Sequence, residues 1–249
     1  MQLTVGPAFD QLAKRYDALW TNSDIGRKQR EAVWRRVDPL FRPGDSILDL
    51  GCGTGADAVH FMSRGLNVLG VDASAEMVAL ATARGVEARR LALENIDDLE
   101  GHYDGAISNF GALNCVGNLQ DLSAKLGSLI RRGGFLAICM MGPICLWEVC
   151  HYLNRAAPGR AFRRFSSGGS AASIGIHVNY SSVRQIRFAF KHHFELLSWM
   201  GIGLCVPPSY IAGLSAGTIE QLGAIDRCIA HWPVFRMFSD HRLLVFIRL

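Results

Sequence analysis

The sequence predicts an α/β fold built on an open, mostly parallel sheet. Short apolar strands alternate with helical patterns through residues 9–141, a glycine-rich loop follows the first strand, and one more apolar strand ends the chain. The chain has 249 residues, of which 49% are hydrophobic and 19% charged. A chain of this composition buries a full core, which excludes disordered and fibrous classes.

The first half supplies the predicted parallel strands. Apolar residues recur at helical spacing from Phe9 to Leu19 and from Val33 to Leu40. Predicted strands follow at 46–50, 67–71, 86–91, 103–108 and 135–141, with helices at about 56–64, 75–84 and 118–132. Because parallel neighbours need crossover connections, strands that alternate with helices favour a parallel sheet.

The second half has a different pattern. Segments 161–166 and 173–180 flank the sequence SSGGSAA, which predicts a β-hairpin standing off the core. We expect helices at 181–192 and 218–231, an extended run at 194–206 and a last strand at 241–249. A strand at the end of the chain favours an antiparallel pair at the edge of the sheet.

Cysteine usage and apolar runs limit the type of protein. The seven cysteines contain no CxxC pair, so we expect reduced thiols and neither disulfides nor a metal site. The longest apolar run, 135–147, contains Gly142 and Pro143 and is shorter than the roughly 20 residues of a membrane helix. Residues 1–15 do not resemble a signal peptide. We expect a cytoplasmic protein without a membrane span, and its oligomeric state stays open.

Charge is unevenly distributed along the chain. The formal net charge is +4, but no acidic residue lies between Glu148 and Glu195, where seven basic residues do. One interpretation is a solvated face whose arginines pair with acids elsewhere. The other is a positive lobe that attracts an anionic substrate.

The strongest chemical signal is the loop after the first predicted strand. Gly51, Gly53 and Gly55 allow a tight turn and let a ligand approach backbone N–H groups. Asp72 ends the next strand, 21 residues beyond Gly51, where a carboxylate can accept both hydroxyls of a ribose. The pattern predicts a cofactor that contains a nucleoside.

Two cofactor classes fit a loop of this kind. Gly51, Gly53 and Ala56 satisfy the loose dinucleotide fingerprint. Asp49, however, brings a negative charge towards the loop, which opposes a pyrophosphate and suits a ligand with an ammonium and a sulfonium group. The extra Gly55 also opens the turn further than a pyrophosphate requires.

The motifs resemble a known enzyme family. LDLGCGTG (48–55) and GVDAS (70–74) resemble motifs I and II of the class I S-adenosylmethionine-dependent methyltransferases. The Tyr16-Asp17 pair, YDGAISN (103–109) and LIRRGGFL (129–136) are similar in order and spacing. The resemblance covers about residues 9–141.

The resemblance implies a fold and a domain organisation. The fold would be a Rossmann-like, seven-stranded, mostly parallel sheet with a reversed C-terminal strand. We expect one domain, 1–249, with a cofactor-binding half at 1–141 and acceptor-side elements at about 142–240. These include a small β-hairpin and helical insertion whose basic hairpin lies near 160–180.

The resemblance also assigns cofactor-binding residues. The glycines would line the methionine portion of S-adenosyl-L-methionine, Asp49 would act through its amino end, and Asp72 would hold the ribose. The remaining candidates cover the adenine or close the pocket: Tyr16, Ala73, Met77, Glu94, Asn95, Ser108, Asn109 and Phe110. Cys52 belongs to the same loop and is interpreted as a packing residue, not as a nucleophile.

Acceptor-side residues are weaker candidates. His151 and His177 are candidate general bases, although a lone histidine is more often a packed or exposed one. An arginine binds a carboxylate or phosphate bidentately, and Arg163 and Arg164 would point to opposite faces of a strand, so only one would face the pocket. The remaining candidates for substrate contact are Asn114, Trp147, Tyr180 and Tyr210.

These observations predict a methyltransferase for a small or medium-sized organic acceptor that carries an anionic group. Methyl transfer is an in-line displacement in which the protein aligns the reactants, excludes water and, where needed, removes a proton. Three alternatives stay open: other chemistry with the same cofactor, such as cyclisation, methylation of RNA, and a non-catalytic cofactor-binding module. The lack of a long basic stripe or an appended RNA module argues against a nucleic-acid partner.

Overall fold

The computed structural model describes residues 5–166, 169–171, 175–211 and 213–249. Within these ranges the strands are β1 (Ser46–Leu50), β2 (Asn67–Asp72), β3 (Glu87–Arg90), β4 (Tyr103–Ser108), β5 (Ile130–Met141), β6 (Ser170–Ala171), β7 (His177–Val178), β8 (Phe194–Ile202) and β9 (His241–Arg248). The helices are α1 (Val5–Tyr16), α2 (Asp24–Val37), α3 (Ala56–Ser63), α4 (Ala75–Ala83), α5 (Leu119–Leu129), α6 (Leu146–Leu153), α7 (Pro158–Ala161), α8 (Val183–Phe190) and α9 (Ala216–Ile229).

Seven strands form one sheet in the order β3-β2-β1-β4-β5-β9-β8. The pairs among β1 to β5 are parallel, whereas β9 runs antiparallel to both β5 and β8. The predicted Rossmann-like sheet with a reversed C-terminal strand is therefore confirmed. Because β9 inserts between β5 and β8, the edge strand on this side of the sheet is β8 and not the last strand of the chain.

Local sequence signals place the helix starts. Side-chain oxygens of Ser74, Asn118 and Ser182 accept backbone N–H groups in the first turns of α4, α5 and α8. Helices pack on both faces of the sheet and therefore bury β1 on both sides. Leu48 belongs to one apolar cluster and Ile47 to another. This burial makes the sheet a rigid support for the loops at its carboxyl edge. No described helix has the length and hydrophobicity that crossing a bilayer requires.

The insertion after β5 differs from its prediction. The first predicted hairpin strand, 161–166, is wrong, because α7 is followed by a short 3-10 turn at Arg163–Phe165. Adjacent residues of a strand point to opposite faces, whereas this turn brings two neighbouring arginines to one carboxylate, Glu148. Among the described residues, β6 and β7 pair as a hairpin, and part of its second predicted strand, residues 173 and 174, lies outside these ranges.

One boundary in the first half also differs. The predicted helix 118–132 ends at Leu129, and β5 already begins at Ile130. The Gly133-Gly134 pair therefore lies inside the strand and does not end the helix. Gly134 permits close packing there, because a Cβ would lie 2.6 Å from the carbonyl oxygen of Asp104 on β4.

Candidate functional site

A cavity of ≈ 840 Å³ lies at the carboxyl edge of the sheet, where β1, β2 and β4 end. This is the edge at which open α/β sheets bind ligands. Its wall combines α1, the glycine loop, the segments after β2, β3 and β4, and the short strand β7. The predicted site residues on this wall are Tyr16, Gly51, Gly53, Asp72, Ala73, Met77, Glu94, Asn109, Phe110 and His177.

The glycine loop has the left-handed backbone that its sequence predicts. The φ angles of Gly51, Gly53 and Gly55 are 74°, 54° and 81°. A Cβ on Gly51 would lie 2.3 Å from the Cβ of Ala112, so a side chain is excluded by packing. A Cβ on Gly53 would meet no described protein atom within 4 Å, and Gly53 lines the cavity. Any side chain at Gly53 would therefore occupy ligand space.

Asp72 joins the end of β2 to this loop. Its two carboxylate oxygens accept the backbone N–H groups of Gly53 and Ser74, each at 2.9 Å. Burial raises the pKa of Asp72, and these two hydrogen bonds oppose the increase. The carboxylate is thereby held in one orientation at the cavity wall, where it can accept the hydroxyls of a ribose.

The N-terminal segment is fastened over the loop by two aspartates. Asp10 of α1 accepts hydrogen bonds from the Ser74 hydroxyl, at 2.6 Å, and from the Glu76 backbone N–H, at 3.1 Å. Asp17 accepts the Thr54 hydroxyl at 2.7 Å and pairs with Arg84. These contacts hold α1 as one wall of the cavity.

Tyr16 and Asn109 supply polar groups to the wall. Burial raises the pKa of Tyr16 to about 12, so its phenol is neutral and can donate a hydrogen bond. The Nδ2 group of Asn109 is buried and has no hydrogen-bond partner among the described residues. An unsatisfied buried donor on a cavity wall is a position for a ligand acceptor atom. The next residue, Phe110, has a φ of 53°, a strained conformation typical of functional sites.

Asp49 lies behind the loop instead of on the described cavity wall. It is only 2% exposed, and its Oδ2 atom has no hydrogen-bond partner within the described ranges. Burial and the nearby carboxylates of Asp57 and Asp72 raise its pKa well above the usual range, while Arg30 opposes this change. When ionised, Asp49 would act on a cofactor through space, without direct contact.

Four other predicted cofactor residues also lie off the described wall. Cys52 packs against Gly70, Gly55 precedes α3 and packs against Ala81, and the Ser108 hydroxyl donates to the Leu50 carbonyl at 2.7 Å. Asn95 is exposed, whereas its neighbour Glu94 reaches the cavity. Cys52, Gly55 and Ser108 support the shape of the site from behind.

Three predicted acceptor residues, Arg163, Arg164 and Tyr210, belong to a buried ion network. Glu148 of α6 is 1% exposed and accepts bidentate hydrogen bonds from Arg163, at 2.8 and 3.0 Å. Arg164 contacts Glu148 and Asp240, at 2.7 and 2.8 Å, and the Tyr210 hydroxyl donates to Glu148 at 2.8 Å. Both predicted arginines are therefore neutralised, and the network fastens the insertion to the start of β9.

The remaining predicted acceptor residues have separate surroundings. The Asn114 side chain is fully buried and bridges Met141 and Asn179 through three hydrogen bonds. Trp147 donates its indole N–H to the Cys205 carbonyl at 3.0 Å.

Tyr180 and the two histidines complete the predicted set. Tyr180 lies under the Arg164 guanidinium, 5.3 Å from the ring centroid. His151 of α6 contacts Arg155 and Tyr210 and lies away from the described cavity wall. His177 of β7 is the predicted acceptor-side residue that lines the cavity.

Sequence reasoning missed several residues of the wall. Val5, Pro7 and Phe9 at the start of α1, Arg90 at the end of β3, and Met141 at the end of β5 all line the cavity. Gly6 carried a usable signal, because a Cβ there would lie 2.5 Å from the carbonyl oxygen of Ala73. Val5, Pro7 and Phe9 lack a local signal, since only the packing of α1 brings them to the site, whereas Arg90 and Met141 end two strands of the sheet.

Comparisons with known proteins agree with this arrangement. Residues 47–134 match the sequence model of a family described as a methyltransferase domain. A demethylmenaquinone methyltransferase from Mycobacterium marinum is 32% identical over 67% of this chain and 73% of its own length. A trans-aconitate 2-methyltransferase from Deinococcus radiodurans is 37% identical, over 44% of this chain and 43% of its own length. The crystal structure of an S-adenosylmethionine-dependent methyltransferase from Mesorhizobium loti superposes with a TM-score of 0.57 at 20% identity, covering 88% of this chain and 98% of that one.

The residues present fit S-adenosylmethionine. Gly53 leaves space that a Cβ would fill, Asn109 offers an unsatisfied donor, and Asp72 presents a fixed carboxylate. Burial raises the pKa of both Asp49 and Asp72, and a ligand that carries positive charge would favour their ionised forms. The geometry and the relatives together show that the chain belongs to the class I S-adenosylmethionine-dependent methyltransferases.

Proposed function

We propose that this methyltransferase acts on a small or medium-sized organic acceptor that carries an anionic group. The observation that carries the proposal is one cavity that extends from the cofactor loop to the insertion. Gly53 and Asp72 line its cofactor side, and Ile176, His177 and Val178 line the side formed by β7. A pocket within the usual range of about 300–1,000 Å³ suits a small molecule.

The acceptor side of the cavity is apolar apart from a few groups. Phe9, Val116, Met141 and Ile176 supply apolar surface. Burial raises the pKa of the Cys115 thiol to about 11, so this side chain is a neutral group and a poor nucleophile. An acceptor whose reacting end is largely apolar fits this lining.

Charge outside the cavity supports the anionic character of the acceptor. Arg163 and Arg164 are paired with Glu148 and Asp240, but the segment between Glu148 and Glu195 carries five further basic residues and no acid. The relatives named for demethylmenaquinone and trans-aconitate indicate small-molecule acceptors, and the second of these names is that of a carboxylate. Positive potential near the cavity would concentrate an anionic acceptor there.

The chain's own residues align the acceptor and remove its proton. When bound, S-adenosylmethionine supplies a methyl group that the acceptor takes by in-line SN2 displacement, with S-adenosylhomocysteine as the second product. The walls formed by α1 and β7 exclude water and hold the reacting atoms in line. The imidazole of His177, which lines the cavity, takes the proton that the acceptor loses.

The two histidine candidates provide a matched test. Release of S-adenosylhomocysteine is measured with a panel of carboxylate- and phosphate-bearing acceptors. We expect His177→Gln to lower kcat by about 10²-fold or more with little change in cofactor affinity. His151→Gln is the control, because His151 lies off the described wall, and it should leave kcat within about twofold.

Three outcomes contradict the proposal. Equal kcat values for His177→Gln and the wild type would exclude His177 as the base. Tight cofactor binding without turnover on any acceptor of the panel would instead favour a non-catalytic module. Turnover restricted to RNA would favour the nucleic-acid alternative.

A further inference from the structure

A second large concavity lies beside the cavity described above. Its volume is ≈ 900 Å³, and it is bounded by the first turn of α5, by α8 and by residues 164–166. We call it the basic cleft, after its charged lining residues Arg164, Arg184, Arg187 and Lys191. Val116 lines both concavities, so a ligand in the basic cleft would lie next to the reaction cavity.

The basic cleft has uncompensated positive charge. No acidic side chain occurs among its described lining residues. Residues 167, 168 and 172–174 add none, because their side chains are uncharged. Arg164 is neutralised by Glu148 and Asp240, so the available cations are those of α8 and its C-terminal end.

Helix α8 presents these cations on one face. Arg184, Arg187 and Lys191 are three and four residues apart, which places them in one stripe along the helix. All three are exposed, whereas Ile186 and Phe190 anchor the opposite face in the core. A capping box at Ser182 fixes the start of the helix, so its backbone is held firmly.

The neighbouring groups add to the same potential. Gln120 and Gln185, in the first turns of α5 and α8, both line the cleft. Helix N-termini carry partial positive charge, so both dipoles favour an anion there. Phe188 is 56% exposed, and the Lys191 ammonium lies 4.0 Å from its ring centroid. The cleft thus combines cations with apolar surface.

We propose that the basic cleft binds a phosphate or diphosphate group. A single carboxylate is satisfied by one arginine, whereas three free cations and two helix N-termini suit a group with two or more negative charges. Arginine pairs with phosphate oxygens in a bidentate geometry, and lysine adds a point charge. The inference goes beyond the proposed function, because binding at this cleft does not require methyl transfer.

Calorimetric titration with inorganic pyrophosphate at low ionic strength tests the site directly. We expect the wild type to bind, and Arg184→Glu/Arg187→Glu to bind at least tenfold more weakly. The matched control is Arg131→Glu/Arg132→Glu, which makes the same change of charge at the other end of β5 from Met141 and the cavity. The control should bind pyrophosphate within about twofold of the wild type, and added salt should weaken binding.

Titration with S-adenosylhomocysteine separates the two sites. It should bind all variants with similar affinity, which shows that each is folded and that the cofactor site is intact. Absence of pyrophosphate binding by the wild type, or equal binding by Arg184→Glu/Arg187→Glu, would overturn the inference and leave the proposed function standing. Retained pyrophosphate binding without turnover on any acceptor would overturn the proposed function and leave this inference standing.

A second arm identifies the source of the phosphate. Wild-type protein is sedimented with vesicles of phosphatidylglycerol, with phosphatidylcholine vesicles as the reference. Sedimentation that pyrophosphate reverses, and that Arg184→Glu/Arg187→Glu loses, assigns a lipid headgroup. Binding of pyrophosphate without sedimentation assigns a soluble phosphate compound. Both results support a phosphate site.

Discussion

Replacing Gly53 by alanine should weaken cofactor binding far more than it weakens folding. Gly53 has a φ of 54°, and the added Cβ would meet no described protein atom within 4 Å. The folded state therefore bears only the cost of a left-handed alanine, about 1 kcal/mol. For a chain of 249 residues, this cost lowers Tm by about 2–4 °C.

The same Cβ projects into space that the cofactor needs, because Gly53 lines the cavity. We expect at least tenfold weaker binding of S-adenosylhomocysteine, a loss of about 1.4 kcal/mol. Gly85→Ala is the matched control. Gly85 has a φ of 84° and equally open surroundings, but it follows α4 and is not among the described lining residues. It should show the loss of Tm without the loss of affinity.

Differential scanning fluorimetry gives Tm without ligand, and isothermal titration gives the affinity for S-adenosylhomocysteine. The reasoning would be refuted if Gly53→Ala bound this product as tightly as Gly85→Ala does. A fall in Tm far greater than that of Gly85→Ala would also count against it, because the loss of affinity would then reflect unfolding.

Two further predictions concern buried carboxylates. The raised pKa of Asp49 means that its stabilising contribution is present in acid and lost as pH rises, so Asp49→Asn should raise Tm at pH 7 by a few degrees. The same variant should bind S-adenosylmethionine severalfold more weakly, whereas its affinity for S-adenosylhomocysteine, whose sulfur is uncharged, should fall less. Equal losses of affinity for the two ligands, measured by calorimetry, would contradict the electrostatic role. Glu148 has a lowered pKa because Arg163 and Arg164 oppose the effect of burial, so its contribution is present above pH 4.5 and lost as pH falls. Glu148→Gln should therefore lower the free energy of unfolding by about 3 kcal/mol at pH 7, and on acidification it should lose less stability than the wild type does. Denaturant titrations at pH 7 and in acid check this, and an unchanged stability at pH 7 would exclude the network as an anchor.

The strands and the glycine loop of residues 1–141 could be predicted in detail from the sequence because their signals are local. The glycines of the loop and Asp72 belong to segments whose spacing reflects the strand-turn-helix unit itself. The parallel strands followed from their alternation with helices. Three predicted cofactor residues that lie off the described wall, Cys52, Asn95 and Ser108, are immediate neighbours of lining residues, and which way each side chain points depends on the folded backbone.

The segment after β5 could not be predicted in the same way because its contacts join distant parts of the chain. Arg164 was expected at the acceptor, but its pairing partners lie 16 and 76 residues away, at Glu148 and Asp240. A buried carboxylate has no signature in the local sequence. The insertion of β9 between β5 and β8 likewise depends on pairings across the whole second half.

The order of residues alone determined the α/β class and the glycine loop after β1, since backbone conformation and hydrophobic period act over a few neighbours. Only the tertiary structure decided which of the arginines are free. Arg163 and Arg164 are neutralised by Glu148, with Asp240 also pairing with Arg164, while those of α8 remain exposed beside the cavity. The availability of a charge depends on which partner the folded chain brings within contact, and no local pattern specifies that partner.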